Sequence, residues 1–448
     1  MKELFLKYKY RIALLGIAIV AVAVTLLIGS IYGDDEINGI RYLLVDNEYT
    51  VFRYYGDDEV VKIKNTFKGK KVTSIGEEAF YKNQNITKVI LPKNLKVIEE
   101  NAFANCVNLS EINLVESIEI IGARAFYNTK LYNIKLPNKV TVLNRGVLIT
   151  NNGVIEVPDT ISVIGESAFQ GDTNVEEIKL PNTITSIGER AFNLCKNLKK
   201  INLPDSIEYI GKFAFEESGI EKIILPKNLE VIEEYMFSKC YSLNEVILND
   251  GLKSIEHSAF IGCKNLKTIN IPNTVVELEY ECFGYTGLEK IVIPNSVEKI
   301  EMNIFSYCTS LKEISVPFIG DTKKNNKDIY YFFSGTKDHY KDPTSLKIVR
   351  VTGENVTIGS KAFAYSKTIK ELYLESAVSI AEDAFESMEL LEKVVINKLK
   401  NVGYLTFRKG RNVEKLELYC YFSLSYAQQY LPEDWYSANV NVHYNYNG

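Results

Sequence analysis

Apolar and polar residues alternate along most of this chain in short bursts that return at a fixed interval. The string I-G-x-x-A-F recurs with variations. Its last residue falls at Phe80, Phe103, Phe126, Phe169, Phe192, Phe215, Phe237, Phe260, Phe283, Phe305, Phe363, Phe385 and Phe407, most neighbours being 22 or 23 residues apart. The gap between Phe126 and Phe169 divides when residues 143–148 are read as a degenerate copy with Leu148 in place of Phe, which leaves one long gap, from Phe305 to Phe363. A second string, L-x-x-I-x-L-P, runs in step with the first, as in Leu198 to Pro204 and Leu288 to Pro294. Its last residues alternate with a period of two, which predicts a strand with one buried face. Nine of the eleven prolines stand at its end, where a residue lacking an N–H stops the ladder. A further apolar stretch, such as Ser206 to Gly211, predicts a second short strand. Its Gly lets the chain bend, and the A-F pair is expected to pin one helical turn onto the core.

So small a unit cannot bury its own apolar face, but stacked copies share one core along the stack. At these residues the sequence resembles the BspA-like class of leucine-rich repeats, whose unit reads approximately C-x-x-L-x-x-I-x-I-P-x-x-V-x-x-I-G-x-x-A-F. The resemblance covers about residues 36–425. The expected fold is an α/β repeat solenoid, a leucine-rich-repeat-like right-handed stack of 22–23-residue units with about fifteen rungs and a β-rich N-terminal cap. Its expected divisions are a basic tail (1–11), a membrane segment (12–32), the cap (33–74), the solenoid (75–425, with an expanded rung at 318–350) and a C-terminal cap (426–448). Members of this class are often exported microbial surface proteins, some associated with adhesion, so the resemblance implies a binding surface rather than a chemistry.

The N-terminus fits export. From Ile12 to Ile31 no residue is charged, with Lys7, Lys9 and Arg11 before the run and Asp34, Asp35 and Glu36 after it. Twenty residues at about 1.5 Å each span about 30 Å, the thickness of a bilayer's hydrocarbon core. A signal anchor is expected, with the basic end in the cytoplasm and the rest outside. Cleavage after Ala21-Val22-Ala23 is the other reading, and it would release a secreted protein.

Composition removes several classes of function. The net charge is −5, the first eleven residues contribute +3, and only 9 of the 52 basic residues are Arg. Such a body suits neither phosphate backbones nor anionic lipid, so no nucleic-acid partner is expected. The three histidines, His257, His339 and His443, are far apart in sequence, which argues against imidazole-based catalysis or metal ligation. No catalytic residue, cofactor or metal is assigned. Carboxylate chemistry on a solenoid, as a carbohydrate-active enzyme or its accessory, is the rival reading; a passive surface-layer spacer is the third. The acidic runs Asp34-Asp35-Glu36 and Asp57-Asp58-Glu59 lack calcium-loop spacing and read as solvated turns.

Three sets of residues are candidates for special roles. On the strand face the outward positions Ile224, Ile247 and Val292 form an apolar stripe flanked by Lys222, Glu245 and Lys290. They are either a docking face for an extracellular protein or glycan, or incidental exposure of good strand formers. In the long gap, Tyr330, Tyr331, Phe332 and Phe333 are either a ligand platform on an enlarged loop or the core of one expanded rung that replaces I-G-x-x-A-F. Five of the seven cysteines lie three residues after a landmark Phe. That phase reads as buried thiols, with a disulfide between Cys240 and Cys263 open because the two stand on adjacent rungs. His257 occupies a variable position of its repeat and is expected to matter little to stability.

Overall fold

The computed structural model describes residues 36–333, 345–402, 416–420 and 440–444. The tail and membrane segment at 1–32, and all of the 426–448 cap except Val440–Tyr444, lie outside the described residues. Among the described residues no helix is long and apolar enough to cross a membrane. The chain divides into two compact units, Met1–Leu131 and Tyr132–Gly448.

The first unit begins as a hairpin. Ile40–Val45 pairs antiparallel with Glu48–Tyr54, and the turn residues Asp46 and Asn47 both have positive φ, 44° and 67°, which matches the right-handed twist of the flanking strands. Pairing then changes sense. Glu48–Tyr54 runs parallel to Lys70–Ile75, which runs parallel to Val97–Ile98, and that strand to Ile120–Ile121. A second parallel ladder joins Val60–Lys62, Lys88–Ile90 and Glu111–Ile112. Tyr42 stacks on Phe67 at 4.4 Å, with Tyr49 edge-on at 5.0 Å.

The second unit repeats the same two-ladder rung. Val154–Glu156, Glu177–Lys179 and Lys200–Ile201 form one ladder; Val142–Leu143, Val163–Ile164, Ser186–Ile187 and Tyr209–Ile210 form the other. The register keeps like with like, so Ile223 faces Val246 and both are buried. The third side of each rung is the I-G-x-x-A-F segment. Its phenylalanines stack inward: Phe237 lies 5.3 Å from Phe260, and Phe260 lies 5.8 Å from Phe283. Leu148 is buried at the landmark position of the degenerate copy.

The expected helical turn is absent, and the class is a β-solenoid of about fifteen turns rather than α/β. An α-helix would direct each N–H to the carbonyl four residues back. Here the bonds alternate: Ser258, Phe260 and Gly262 donate to Tyr280, Cys282 and Gly284 of the next rung, while Ala259, Ile261 and Cys263 donate three residues back, to Glu256, Ser258 and Phe260. Alternate donors can face the neighbouring rung because two residues per segment are left-handed, Ser258 at φ 52° and Gly262 at 79°. Most such positions carry side chains, among them Leu194, Tyr285 and Tyr307. A left-handed residue with a Cβ costs about 1–2 kcal/mol, and the hydrogen bonds between rungs offset it. Among the described residues the one helical element is a 3₁₀ turn, Ile329–Phe332, capped by Asp328, which accepts a hydrogen bond from the Tyr331 N–H.

The cysteine column has a physical reason. Cys106, Cys195, Cys240, Cys263 and Cys308 each donate Sγ–H to the carbonyl of the landmark Phe one rung earlier, at 2.9–3.1 Å. Thr129 and Thr286 occupy the same position and donate to their own rung's Phe carbonyl. All seven cysteines are free and buried, so Cys240 and Cys263 are not joined.

Candidate binding face

The strand face is set by alternation. In Lys222–Ile224 and Glu245–Ile247 the central residue points into the core and the flanking residues point out. Parallel pairing then places Lys222 opposite Glu245 and Ile224 opposite Ile247. Ile224 is 54% exposed and Ile247 43%, so two isoleucines meet side by side in water, a small apolar surface with no cover from its own rung. Val292, 50% exposed on Lys290–Val292, lies two rungs further along, with the exposed Asn270 between.

The charges around this surface cancel in pairs along the stack. The Lys222 ammonium is 2.7 Å from Glu245, and the Lys290 ammonium 3.0 Å from Glu313. Glu313 also accepts from Arg350 at 2.9 Å. Burial would push the Glu313 carboxyl up, but the hydrogen bonds from Arg350 and Lys290 outweigh it and hold the group below its ordinary value. Exposed pairs of this kind contribute no more than about 1 kcal/mol each to stability. Their effect on the face is to leave no net field beside the isoleucines.

The apolar surface has sharp edges. One rung upstream, Asn202 turns its amide back on the preceding rung, accepting from Leu180 N–H and donating to Leu180 C=O, both at 2.8 Å. One rung beyond Val292, Ser315 is buried. Further on, the same column is occupied by Arg350 and Tyr373, whose guanidinium and ring lie 3.8 Å apart. Sequence reasoning found the isoleucines from their phase, but the amide of Asn202 gave no signal that it would fold back on the backbone.

The aromatic insertion lies inside. Tyr330, Phe332 and Phe333 are buried and Tyr331 is partly buried, so the four rings form no exposed platform. Asn303 N–H donates to Tyr331 C=O and Phe305 N–H to Phe332 C=O, the bonds that an ordinary I-G-x-x-A-F segment would receive. Phe333 continues the core column 5.8 Å from Phe305.

His257 stands in a ladder of rings. It is half-buried between Tyr235 and Tyr280, with ring centroids 5.1 and 5.2 Å away, and its Nε2 is 3.1 Å from the Tyr235 hydroxyl. Sequence reasoning missed this ladder because its members occupy two different variable positions of the repeat. Beside it, burial together with the Glu256 carboxyl on the adjacent rung pushes Glu279 up to about 7. The thiols are unreactive: burial pushes Cys106, Cys195 and Cys240 up to about 12 and Cys308 to about 11, far from the thiolate that nucleophilic chemistry requires. Among the described residues no group of three or more His, Cys, Asp or Glu is arranged to hold a metal ion.

A leucine-rich repeat protein from Bacteroides ovatus ATCC 8483 has a similar structure: 25% identity, a TM-score of 0.55, and coverage of 92% of this chain and all of that one. A leucine-rich cell surface protein from Faecalibacterium prausnitzii A2-165 is 22% identical over 68% of this chain and 95% of its own, with a TM-score of 0.37. The pneumococcal vaccine antigen PcpA is 18% identical over 92% and 97%, with a TM-score of 0.35. No curated protein matches the chain. The profile described as the BspA type leucine rich repeat region matches residues 58–153, 162–286, 232–337 and 336–431, well over half of the sequence. With its two-ladder rungs, its phenylalanine column and this match, the chain belongs to the BspA type leucine-rich repeat family.

Proposed function

We propose that this protein is a non-enzymatic binding protein of the cell surface, held to the membrane by the apolar segment at 12–32, and that its strand face captures an extracellular protein or glycan through Ile224, Ile247 and Val292. The observation that carries the reading is the meeting of Ile224 and Ile247, exposed and in register on paired strands, within charges that satisfy one another. A partner covering these side chains gains apolar burial at about 25 cal/mol per Å² without stripping an unpaired charge of its water. The strands are stiff, so little ordering is needed on binding. The test uses the full chain displayed on cells, probed with arrays of extracellular-matrix proteins and of glycans. Replacing Ile224, Ile247 and Val292 together by Ser should weaken capture roughly tenfold or more while the fold persists, as expected when an interface loses its desolvated centre. Undiminished capture by the folded triple variant would remove the site from this face. Protease shaving of intact cells checks the location, since an exposed ectodomain is released and a cytoplasmic one is protected.

A further inference from the structure

Two partly exposed rings of this protein are each covered by an arginine from the rung before. Phe213 stacks on Tyr235 with centroids 4.9 Å apart and planes 5° apart, and the Arg190 guanidinium covers the free face of Phe213 at 4.4 Å. Arg350 covers Tyr373 at 3.8 Å. In both cases the arginine stands 23 residues before the ring that it covers. A third ring, Tyr285, has no such cover. Tyr285 and Tyr307 stack at 4.4 Å and 17°, and they are 42% and 62% exposed. Twenty-three residues before Tyr285 stands Gly262.

The place above Gly262 is open. A Cβ built there would meet nothing closer than the Lys239 side chain, at 3.4 Å. The Gly262 N–H donates to Gly284, the neighbour of Tyr285, at 2.8 Å, so the glycine lies directly against the rung that carries the tyrosine. Lys239 does not reach over; its ammonium is 3.2 Å from Glu217, one rung further away. Among the described residues no Lys or Arg lies over Tyr285 or Tyr307, and the Glu281 carboxylate, on the same turn as Tyr285, accepts from the hydroxyl of Ser306 on the following rung, at 3.3 Å. A ring face bounded by a vacancy one rung deep, beside a carboxylate without a cation, is the environment that the chain elsewhere fills with its own arginine.

We propose that Tyr285, Glu281 and the vacancy over Gly262 form a binding site for an arginine side chain of a partner protein. The planar guanidinium stacks on Tyr285 as Arg190 does on Phe213, and Glu281 accepts its N–H groups. Arginine is favoured over lysine because a flat, weakly hydrated cation can both stack and donate in a fork. Within this chain the two closest cation–ring contacts are arginines, over Tyr373 at 3.8 Å and Phe213 at 4.4 Å, although Arg53 stands 5.8 Å from Phe52, beyond the 4.9–5.7 Å of Lys82, Lys264, Lys68 and Lys393. The site lies on the turn edge of the rungs, away from Ile224 and Ile247, and does not depend on the strand-face reading. The acidic body adds a general attraction for a basic partner.

Saturation-transfer NMR on the full-length chain tests it, with acetyl-Gly-Arg-Gly amide as probe and its citrulline counterpart as the neutral isostere. The arginine tripeptide should bind roughly three- to tenfold more tightly than the citrulline one, the range expected of a partly enclosed cation–π contact. Tyr285→Phe should keep that preference, and Tyr285→Leu should abolish it. Gly262→Arg supplies the missing cover from within the chain and should block the probe; Lys239 and Tyr285 show that side chains are accepted in left-handed geometry in this column. Should Gly262→Arg fail to fold, the Phe and Leu variants decide. Equal binding of the citrulline peptide, unchanged binding by Tyr285→Leu, or displacement of the probe by maltotriose would overturn the assignment, the last in favour of a sugar.

Discussion

Rungs with short, interrupted strands and rungs with long, unbroken ones build different surfaces on the same kind of core. Between Lys222 and Ile300 the strands are two or three residues long; Pro226, Pro272 and Pro294 close the first arm of three rungs, and Asn249 stands at that place in the rung of Glu245–Ile247. In the rungs at Glu371–Ile380 and Lys393–Val402 no proline intervenes. Glu375 and Asn397 stand where it would, and each strand runs unbroken for ten residues through both arms of the rung. Proline cannot donate to a ladder, but its absence alone does not lengthen a strand, since Glu245–Ile247 stops before Asn249 and Ile348–Val351 before Thr352. The outward column differs as well. Ile224 and Ile247 stand free in the short-strand region, whereas in the other Tyr373 is held under Arg350 and Lys393, and Val395 is buried. One region leaves its outward side chains for another molecule to cover, and the other uses them on itself.

Ways to break this contrast can be ordered by size. The largest effect should be common to both regions. Phe260→Ala and Phe363→Ala each remove a fully buried ring from the stacked column and should each cost about 3–5 kcal/mol in denaturant melts; a large inequality would mean that the two regions do not share one kind of core. Next comes Tyr373→Ser. It removes the ring under two cations and the hydroxyl that donates to Glu371 at 2.6 Å, and should cost about 1–2 kcal/mol.

A pH effect should follow in the short-strand region. Glu233, Glu256, Glu279 and Glu301 occupy the Gly position of four successive rungs there, where the other region has Gly359 and Ala381. Glu279 faces Glu256 and Glu301 from the rungs on either side and accepts from the His257 backbone N–H. Burial raises it first and the Glu256 carboxyl second, from the ordinary 4.5 to about 7. The folded protein therefore holds a proton that the unfolded chain releases. Its contribution is intact below about pH 4.5 and is lost as pH rises toward 7, the reverse of a salt-bridged carboxylate. Glu279→Gln should flatten stability over that window, with a gain near neutral pH of about 1 kcal/mol once solvent screening is allowed for. A slope that survives the substitution would assign it to another group.

Much of this architecture is legible in the sequence because it rests on residues that recur in phase. The landmark phenylalanines, the alternating strand residues and the prolines each repeat at one fixed offset, and they locate the rungs, the core column and the outward face. What escaped depends on relations between rungs. Left-handed residues such as Leu194 and Lys239 carry no glycine to announce them; they are held there by hydrogen bonds to a neighbour 22 residues away, so the segment read as a helical turn. The thiol column was legible as buried but not as the donor to a Phe carbonyl. Missing prolines at Glu375 and Asn397 were visible, but so was the one at Asn249, where the strand stays short, so strand length could not be read from them. At the candidate face, phase alone found Ile224 and Ile247. It could not show that Asn202 folds back on Leu180, nor that Tyr330, Phe332 and Phe333 turn inward.

The most direct test of the contrast needs no ligand. Denaturant unfolding of the full chain is compared for Ile224→Ser with Ile247→Ser, made together, and for Tyr373→Ser alone. Outward residues that touch nothing essential should change stability by no more than about 0.5 kcal/mol apiece, so the double variant should melt close to the wild type while Tyr373→Ser melts clearly lower. If the isoleucine pair instead costs as much as Tyr373, those side chains serve the fold itself, and the strand face is not free to bind.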